Sequence, residues 1–223
     1  MLTHFKFEKS IGLLALLTSF SILLLVSRIS YTGSIRYIFL LWNLFLAALP
    51  WICSLYFERK NENKKTWQLF LLLAVWLLFF PNSPYILTDL FHLGGGHSVP
   101  LWYDLILLLS FAWTGLLYGF LSLLQLEKMA RQRWSETKTT ILIICLLFIA
   151  SFGVYLGRFL RWNSWDILSN PLGLLYDIRD RFLQPWLHHR TWGLTLLLGS
   201  FLSLMYYSIK LLQHDESKVV ISK

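Results

Sequence analysis

Long apolar segments alternate with short polar connections along almost the whole chain. A helix needs about 20 apolar residues to cross a bilayer core of about 30 Å, so this alternation predicts about six membrane-spanning helices. The predicted spans lie near residues 11–27, 36–57, 66–87, 104–126, 138–157 and 191–212. We therefore expect an all-α fold, a polytopic transmembrane helix bundle that forms one domain, 1–223. No small-x-small cleavage site follows Val26, which favours a retained first helix over a secretory signal.

The third apolar segment is the least regular, because two prolines interrupt it. Only Trp67–Phe80 is continuously apolar, and Pro81 and Pro84 follow. A proline removes a helical hydrogen bond and clashes with the preceding turn. The helix either continues with a kink or ends there and lets the chain re-enter the bilayer, and the sequence leaves both open. Non-helical backbone at this depth must be lined by protein or water.

The composition supports the membrane class and argues against others. Hydrophobic residues make up 56% of the 223, and the mean hydropathy is +0.56. The net charge of +8 does not indicate nucleic acid, because Lys and Arg lie beside apolar segments, where they set topology and contact anionic lipid. The lipid bilayer is the expected partner. More Lys and Arg lie on the side of the termini, which predicts a plasma-membrane protein with both termini cytoplasmic and with the third and fifth connections outside.

The third connection carries carboxylates and imidazoles but neither Lys nor Arg. Asp89, His92 and Asp104 are candidate catalytic residues, with His92 carrying protons near neutral pH. The same three side chains are candidate ligands for a divalent metal such as zinc or manganese, although their spacing matches no established metal motif. A hydrogen-bonded network without metal is the other interpretation. His97 follows three glycines, so we expect it to be exposed to solvent.

The fifth connection begins with GRFLRWNSWD, which is rich in arginine and tryptophan. Arg158 and Arg161 lie three residues apart, so both guanidinium groups can bind one phosphate or carboxylate. We expect Asp166 to fix their orientation. The alternative is that the arginines extend to lipid headgroups, with Trp162 and Trp165 in the aromatic belt of the membrane.

A short interfacial amphipathic helix near 171–187 is predicted before the last span. Asn170 is a plausible N-cap, and Pro171 suits the first helical position. Asp177 and Arg181 lie four residues apart on a face separate from the apolar one. Such a helix lies along the membrane interface as a rim or lid. Its apolar residues at helical spacing are Leu174, Leu175, Ile178, Phe182 and Trp186.

Together the two outer connections predict a polar cleft at the membrane surface. Pairing the acidic residues of one with the arginines of the other lowers the cost of charges near hydrocarbon. The cleft is expected to bind an anionic or lipid-like ligand, including a lipid-linked one, with acid/base chemistry as one use. A small-solute transporter or channel is the alternative, since interrupted helices often frame binding sites. A structural component of a membrane assembly is the third interpretation.

Two smaller features lie on the fourth span. Gly115 and Gly119 have the spacing that lets membrane helices approach closely. We expect them to pack the fourth span against the fifth. Glu127 closes the fourth span and is expected to be a solvated helix end.

Three stretches carry a resemblance to a known family: PNSPYILTDLFHL, WYDLILLLSFAWTGLLYGFLSL and GRFLRWNSWD. Together they make the chain resemble the bacterial multi-pass membrane family catalogued as domain of unknown function 1361. The resemblance implies a membrane protein with no established activity, so it assigns neither a catalytic residue nor a cofactor. It agrees with the positions of interest, which lie inside these stretches. The candidate ligand-binding residues are Asn82, Arg158, Arg161, Asn163 and Asp166, and the candidate catalytic residues are Asp89, His92 and Asp104.

Overall fold

The computed structural model describes the backbone of residues 2–59, 66–94 and 99–221, and side chains within 10–56, 67, 71, 73–94 and 99–212. These residues form helices and no strands, which confirms the all-α prediction. The helices are α1 Leu2–Thr32, α2 Phe39–Arg59, α3 Thr66–Phe79, α4 Asn82–Tyr85, α5 Leu101–Arg131, α6 Glu136–Leu160, α7 Asp166–Ser169, α8 Pro171–Leu183 and α9 His189–Ile221. Two short 3-10 helices cover Ile86–His92 and Pro185–Leu187.

Among the described residues, five helices are long and apolar enough to cross a membrane. They are Ser10–Thr32, Phe39–Tyr56, Leu101–Arg131, Glu136–Leu160 and His189–Leu212. Many of their large apolar side chains are exposed, as expected of surfaces that contact lipid. The chain is therefore a membrane protein.

The segment 66–87, expected as the third span, is not one continuous helix. The α3 helix has 14 residues and rises about 21 Å, short of a bilayer core of about 30 Å. It ends at Phe79, and the chain continues through α4 into the 3-10 helix Ile86–His92. Of the two alternatives at the prolines, the structure shows that the helix ends there and does not continue with a kink.

The structure divides into two compact units, Met1–Leu126 and Glu127–Lys223, each described by itself. In the first unit the broken segment is lined by protein, as the bilayer requires. Ser83 and Ile86 are fully buried, and the Ser83 hydroxyl donates to the carbonyl of Ala47 in α2 at 2.9 Å.

The glycines of α5 make room for this segment. A Cβ placed on Gly119 would lie 2.6 Å from the Cβ of Ser83, and one on Gly115 would lie 2.7 Å from Cγ2 of Ile86. The expected packing of this pair against the fifth span is therefore wrong: Ser83 and Ile86 fill the space beside it. Small residues permit this close approach because they let another backbone come near.

Polar contacts also join α1 to α5 along much of their length within the first unit. The Tyr103 hydroxyl donates to the Leu24 carbonyl at 2.8 Å. Two pairs of hydroxyl groups lie further from the C-terminal end of α1: Ser21 with Thr114 at 3.4 Å, and Thr18 with Tyr118 at 3.1 Å. Such hydrogen bonds hold helices together where apolar burial gives little driving force.

In the second unit α6 packs along α9. A Cβ on Gly199 would lie 2.6 Å from the Phe148 ring, so a side chain at this position in α9 would collide with α6. Nearer the start of α9, Trp192 stacks on Phe152 of α6 and meets Phe182 of α8 edge to face. These aromatic contacts hold α8 against the two long helices.

Glu127 is not the solvated helix end that the sequence suggested. Its side chain is 3% exposed and accepts hydrogen bonds from the Tyr206 hydroxyl at 2.5 Å, Lys210 Nζ at 2.5 Å and Arg131 Nε at 2.9 Å. Tyr206 and Lys210 lie some 80 residues away in α9, so adjacent sequence carries no sign of these partners. The buried carboxylate is stabilised by two cations and a hydroxyl.

Candidate functional site

Asp104, a candidate catalytic residue, lies in the first turn of α5 and is bound by an arginine that lies just beyond the first predicted span, 11–27. Arg28 belongs to α1, and its Nε and Nη2 donate to the two Asp104 carboxylate oxygens at 2.6 and 3.2 Å. The two side chains are 1% and 3% exposed. A buried, two-point ion pair of this kind holds α1 against α5. Each carboxylate oxygen of Asp104 therefore already accepts one hydrogen bond from a guanidinium group.

Tyr37 completes this cluster. Its hydroxyl lies 3.3 Å from Asp104 Oδ2 and 3.1 Å from the carbonyl oxygen of His92. Burial, and then the nearby Asp104 carboxylate, raises the pKa of the Tyr37 hydroxyl, because both disfavour the phenolate. Tyr37 therefore stays a neutral donor, and its ring also lies 4.5 Å from the Arg28 guanidinium carbon.

Asp89 and His92 lie in the 3-10 helix that follows the break. Asp89 is buried and accepts a hydrogen bond from the side-chain amide of Asn43 in α2 at 2.7 Å. His92 is exposed, with its ring edge against Phe39. Asn82 donates to the Phe79 carbonyl at 2.9 Å, so it helps to close the end of α3.

The metal prediction has no geometric support in this arrangement. Within the described residues, no three His, Cys, Asp or Glu side chains come together as they would around a metal ion. Metal binding by Asp89, His92 and Asp104 therefore stays a prediction. His97 lies outside the described residues.

The arginine-rich loop begins where α6 ends. Arg158 is half-buried in the last turn, and Arg161 is exposed. Arg161 adopts a left-handed conformation with φ of 62°, and its backbone N–H and that of Trp162 both bond to the Leu156 carbonyl. A non-glycine residue in this conformation is uncommon, so the chain turns sharply here and the Arg161 side chain leaves the helix.

Asp166 orders this loop in a way the sequence analysis did not foresee. Its Oδ2 accepts the backbone N–H of Asn163 at 2.7 Å, and its Oδ1 accepts the Ser169 hydroxyl at 2.9 Å. These bonds, the Asn163 N–H first, lower the pKa of Asp166 because they favour the carboxylate. Asp166 thus fixes the turn from Asn163 to Ser169, while its expected contact with the arginines stays a prediction.

A helix is present where the interfacial helix was predicted: α8, followed by the 3-10 helix Pro185–Leu187. Its place at the membrane interface stays a prediction. The Asn170 side chain accepts the Gly173 N–H at 3.1 Å, and Pro171 is the first helical residue, so both cap predictions are confirmed. These local contacts begin the helix where the sequence placed its start.

One face of α8 is held by a polar cluster around Arg181, which is only 7% exposed. Arg181 Nη1 donates to the Asp177 carboxylate at 2.9 Å, and Trp162 Nε1 donates to the same carboxylate at 2.7 Å. The Arg181 carbonyl accepts from Trp192 Nε1 at 3.2 Å. Spacing along the helix predicted the Asp177–Arg181 pair, but nothing in the sequence showed that this face is the inner one.

This part of the chain has more arginines than aspartates. Between Arg158 and Arg190 the chain contains five arginines and three aspartates. Each aspartate has a partner, since Asp180 lies 2.7 Å from His188 Nε2 and the other two are described above. Arg161, Arg179 and Arg190 are exposed, and none of their guanidinium groups has a partner among the described residues. The loop therefore offers unpaired positive charge.

These features define an all-helical membrane protein with a basic, partly apolar loop between α6 and α9. A family model, described as a protein of unknown function (DUF1361), matches residues 42–205. That is more than half of the chain, so the chain belongs to this family, which confirms the resemblance seen in three stretches of its sequence. No curated protein and no solved structure matches the chain.

Proposed function

We propose that this membrane protein binds an anionic, lipid-like ligand at the loop between α6 and α9. The observation that carries the proposal is the unpaired guanidinium of Arg161, on a loop whose aspartates already have partners. An unpaired arginine beside apolar side chains favours a ligand with a negative head and a hydrophobic tail. Trp165 and Ile167, both 45% exposed, supply the apolar contact.

The order of this loop supports binding. The left-handed turn at Arg161 is fixed by two bonds to the Leu156 carbonyl, and Asp166 fixes the next turn through Asn163. A ligand therefore meets a guanidinium whose backbone is already in place, which lowers the entropy cost of binding. Arg158, one turn earlier on α6, is the second candidate contact.

The proposal extends to location. We propose a multi-pass protein of the plasma membrane with both termini cytoplasmic, which puts this loop on the outer face. The single cleft expected from the third and fifth connections stays a prediction, as does acid/base chemistry by Asp89 and His92. The ion pair of Asp104 with Arg28 favours a structural role for that carboxylate.

Native mass spectrometry of the purified protein with phosphatidylglycerol, and separately with phosphatidylcholine, tests the ligand class. We expect tighter binding of phosphatidylglycerol, and we expect Arg161→Gln to weaken it about fivefold, since a basic residue near an anionic headgroup contributes about 1 kcal/mol. Arg161→Lys should keep most of the preference because it keeps the charge.

The matched control is Arg133→Gln. Arg133 is also an exposed arginine of the second unit, but it precedes the other end of α6, a 25-residue helix that is about 37 Å long. The control should bind as the unaltered protein does. Equal loss in both variants would mean that only net charge matters, and no loss at Arg161 would contradict the proposed site.

A second function, solute transport, is favoured by the break after α3. The chain leaves the helix at Phe79, and the next segment buries Asp89 against Asn43. Interrupted helices and buried ionisable groups often mark translocation sites. Proteoliposomes should then show a solute or proton flux that Asp89→Asn reduces and Arg133→Gln does not. Equal flux with and without the protein would exclude this function.

A further inference from the structure

The α8 helix has two faces with opposite environments. On the inner face, Arg181 is buried and Leu174 and Ile178 are half-buried. Asp177 binds Trp162 there, and the Arg181 carbonyl binds Trp192. These polar contacts fix the rotation of the helix about its own axis, so the outer face cannot turn inward without breaking them.

The outer face is apolar and exposed. We call it the α8 stripe, and its side chains, between 58% and 79% exposed, are Leu172, Leu175, Tyr176, Leu183, Trp186 and Leu187. Within the helix, the spacing of three and four residues puts them on one side. Exposed apolar surface of this extent marks a place where another molecule or a membrane binds.

Arg179 lies inside this stripe. It follows Leu175 by four residues and precedes Leu183 by four, so it shares their side of the helix. It is exposed and has no partner among the described residues. Whatever covers the stripe must therefore accept large apolar side chains and supply a negative group close to them.

We infer that the α8 stripe binds the anionic surface of the bilayer, with its apolar side chains among the acyl chains and Arg179 on lipid phosphate. The 13 residues of α8 rise about 20 Å, too short to cross the hydrocarbon core. The helices before and after this loop, α6 and α9, are both candidate spans. A loop between two spans lies where hydrocarbon meets headgroups, which is the place for an amphipathic helix.

A second copy of the chain fits the stripe less well. Two identical stripes packed around a two-fold axis would bring each Arg179 towards the same apolar surface without a carboxylate to pair with it. The neighbouring unpaired charges, Arg161 and Arg190, are also positive. A surface with one sign of charge is complementary to anionic headgroups and not to itself.

Photo-cross-linking in lipid nanodiscs tests this inference and identifies the occupant. Tyr176 is replaced by the photoreactive residue benzoylphenylalanine, and Ile178, two residues away on the inner face, is replaced in a matched control. We expect phosphatidylglycerol adducts at position 176 and cross-links within the chain at position 178. A dimer band or an adduct with another protein at position 176 would overturn the inference, as would equal lipid adducts at both positions.

The role of Arg179 is tested in the same experiment. In nanodiscs that mix phosphatidylglycerol with phosphatidylcholine, Arg179→Gln should reduce the preference for phosphatidylglycerol at position 176 about fivefold, and Arg179→Lys should keep it. An unchanged preference in Arg179→Gln would remove the arginine from the inference. The inference does not rest on the Arg161 site, because the cross-link at position 176 reports on α8, whereas the Arg161 site is tested by the difference in lipid binding between Arg161→Gln and the unaltered protein.

Discussion

The buried ion pair between Arg28 and Asp104 leads to a quantitative prediction. Their side chains are 1% and 3% exposed and joined by two hydrogen bonds. Arg28→Met removes both bonds and leaves a buried carboxylate whose other contact in this cluster is the Tyr37 hydroxyl at 3.3 Å. Breaking a buried pair in this way costs about 3–5 kcal/mol, because the remaining charge has no counter-ion.

The cost is measurable as a fall in thermal stability. For a chain of this length each kcal/mol lowers Tm by about 2–4 °C, so Arg28→Met should melt about 6–20 °C below the unaltered protein in the same detergent. The matched control is Glu136→Gln, which breaks a pair with Arg131 whose side chains are 78% and 33% exposed. Exposed pairs contribute about 0–1 kcal/mol, so the control should shift Tm by a few degrees at most.

The double variant decides whether the cost comes from the unpaired charge. Arg28→Met with Asp104→Leu removes both charges, and replacing a whole buried pair by apolar residues is often neutral or stabilising. The double variant should therefore be more stable than either single variant. Two results would contradict this reasoning. One is a fall in Tm for the double variant that equals the sum of the falls for the two single variants. The other is an Arg28→Met variant with the same Tm as the unaltered protein.

Two further predictions concern packing and pH. Gly119→Ala should lower the free energy of unfolding by about 1–3 kcal/mol, because its Cβ would lie 2.6 Å from the Cβ of Ser83. Gly193→Ala is the control, since nothing lies within 4 Å of its Cβ, and it should stabilise α9 by up to about 1 kcal/mol. Equal Tm values for the two variants would contradict this prediction. Because the pKa of Asp166 is lowered in the folded chain, its hold on the Asn163 N–H is complete above the ordinary Asp value of about 3.9 and lost as pH falls through the lower folded value. The NMR shift of the Asn163 amide should titrate in that acid range, and Asp166→Asn should abolish the transition.

The features predicted correctly from sequence are those set by neighbouring residues. The cap of α8 is one, because Asn170, Pro171 and Gly173 lie within four positions and make their contacts locally. The apolar segments are another, since length and hydropathy alone define a helix that crosses a membrane. The region after Phe79 was predicted only in part. The prolines indicated an irregularity, but the end of the helix also depends on packing against Ala47 and Gly119, which the sequence did not show.

The features that were missed depend on residues far apart in the chain. Arg28 and Asp104 are 76 positions apart, and counting Lys and Arg at the ends of spans treats Arg28 as a topology signal without reference to any carboxylate. One signal was present: each residue lies about one turn inside a helix end, where a charge without a partner is costly. Glu127 is a similar case, since its partners Tyr206 and Lys210 come from the last helix.

These pairings change which residues can carry function. The sequence analysis placed chemistry on the acidic third connection, but Asp104 is neutralised by Arg28 and serves the packing of α1 on α5. In the loop between α6 and α9 and the first turn of α9, the aspartates are paired, and unpaired positive charge remains at Arg161, Arg179 and Arg190. At a membrane surface, the phosphate of an anionic lipid would compensate such charge. The proposal of an anionic amphiphile therefore rests on this loop, whose positive charge is unpaired, rather than on Asp104, which is already paired.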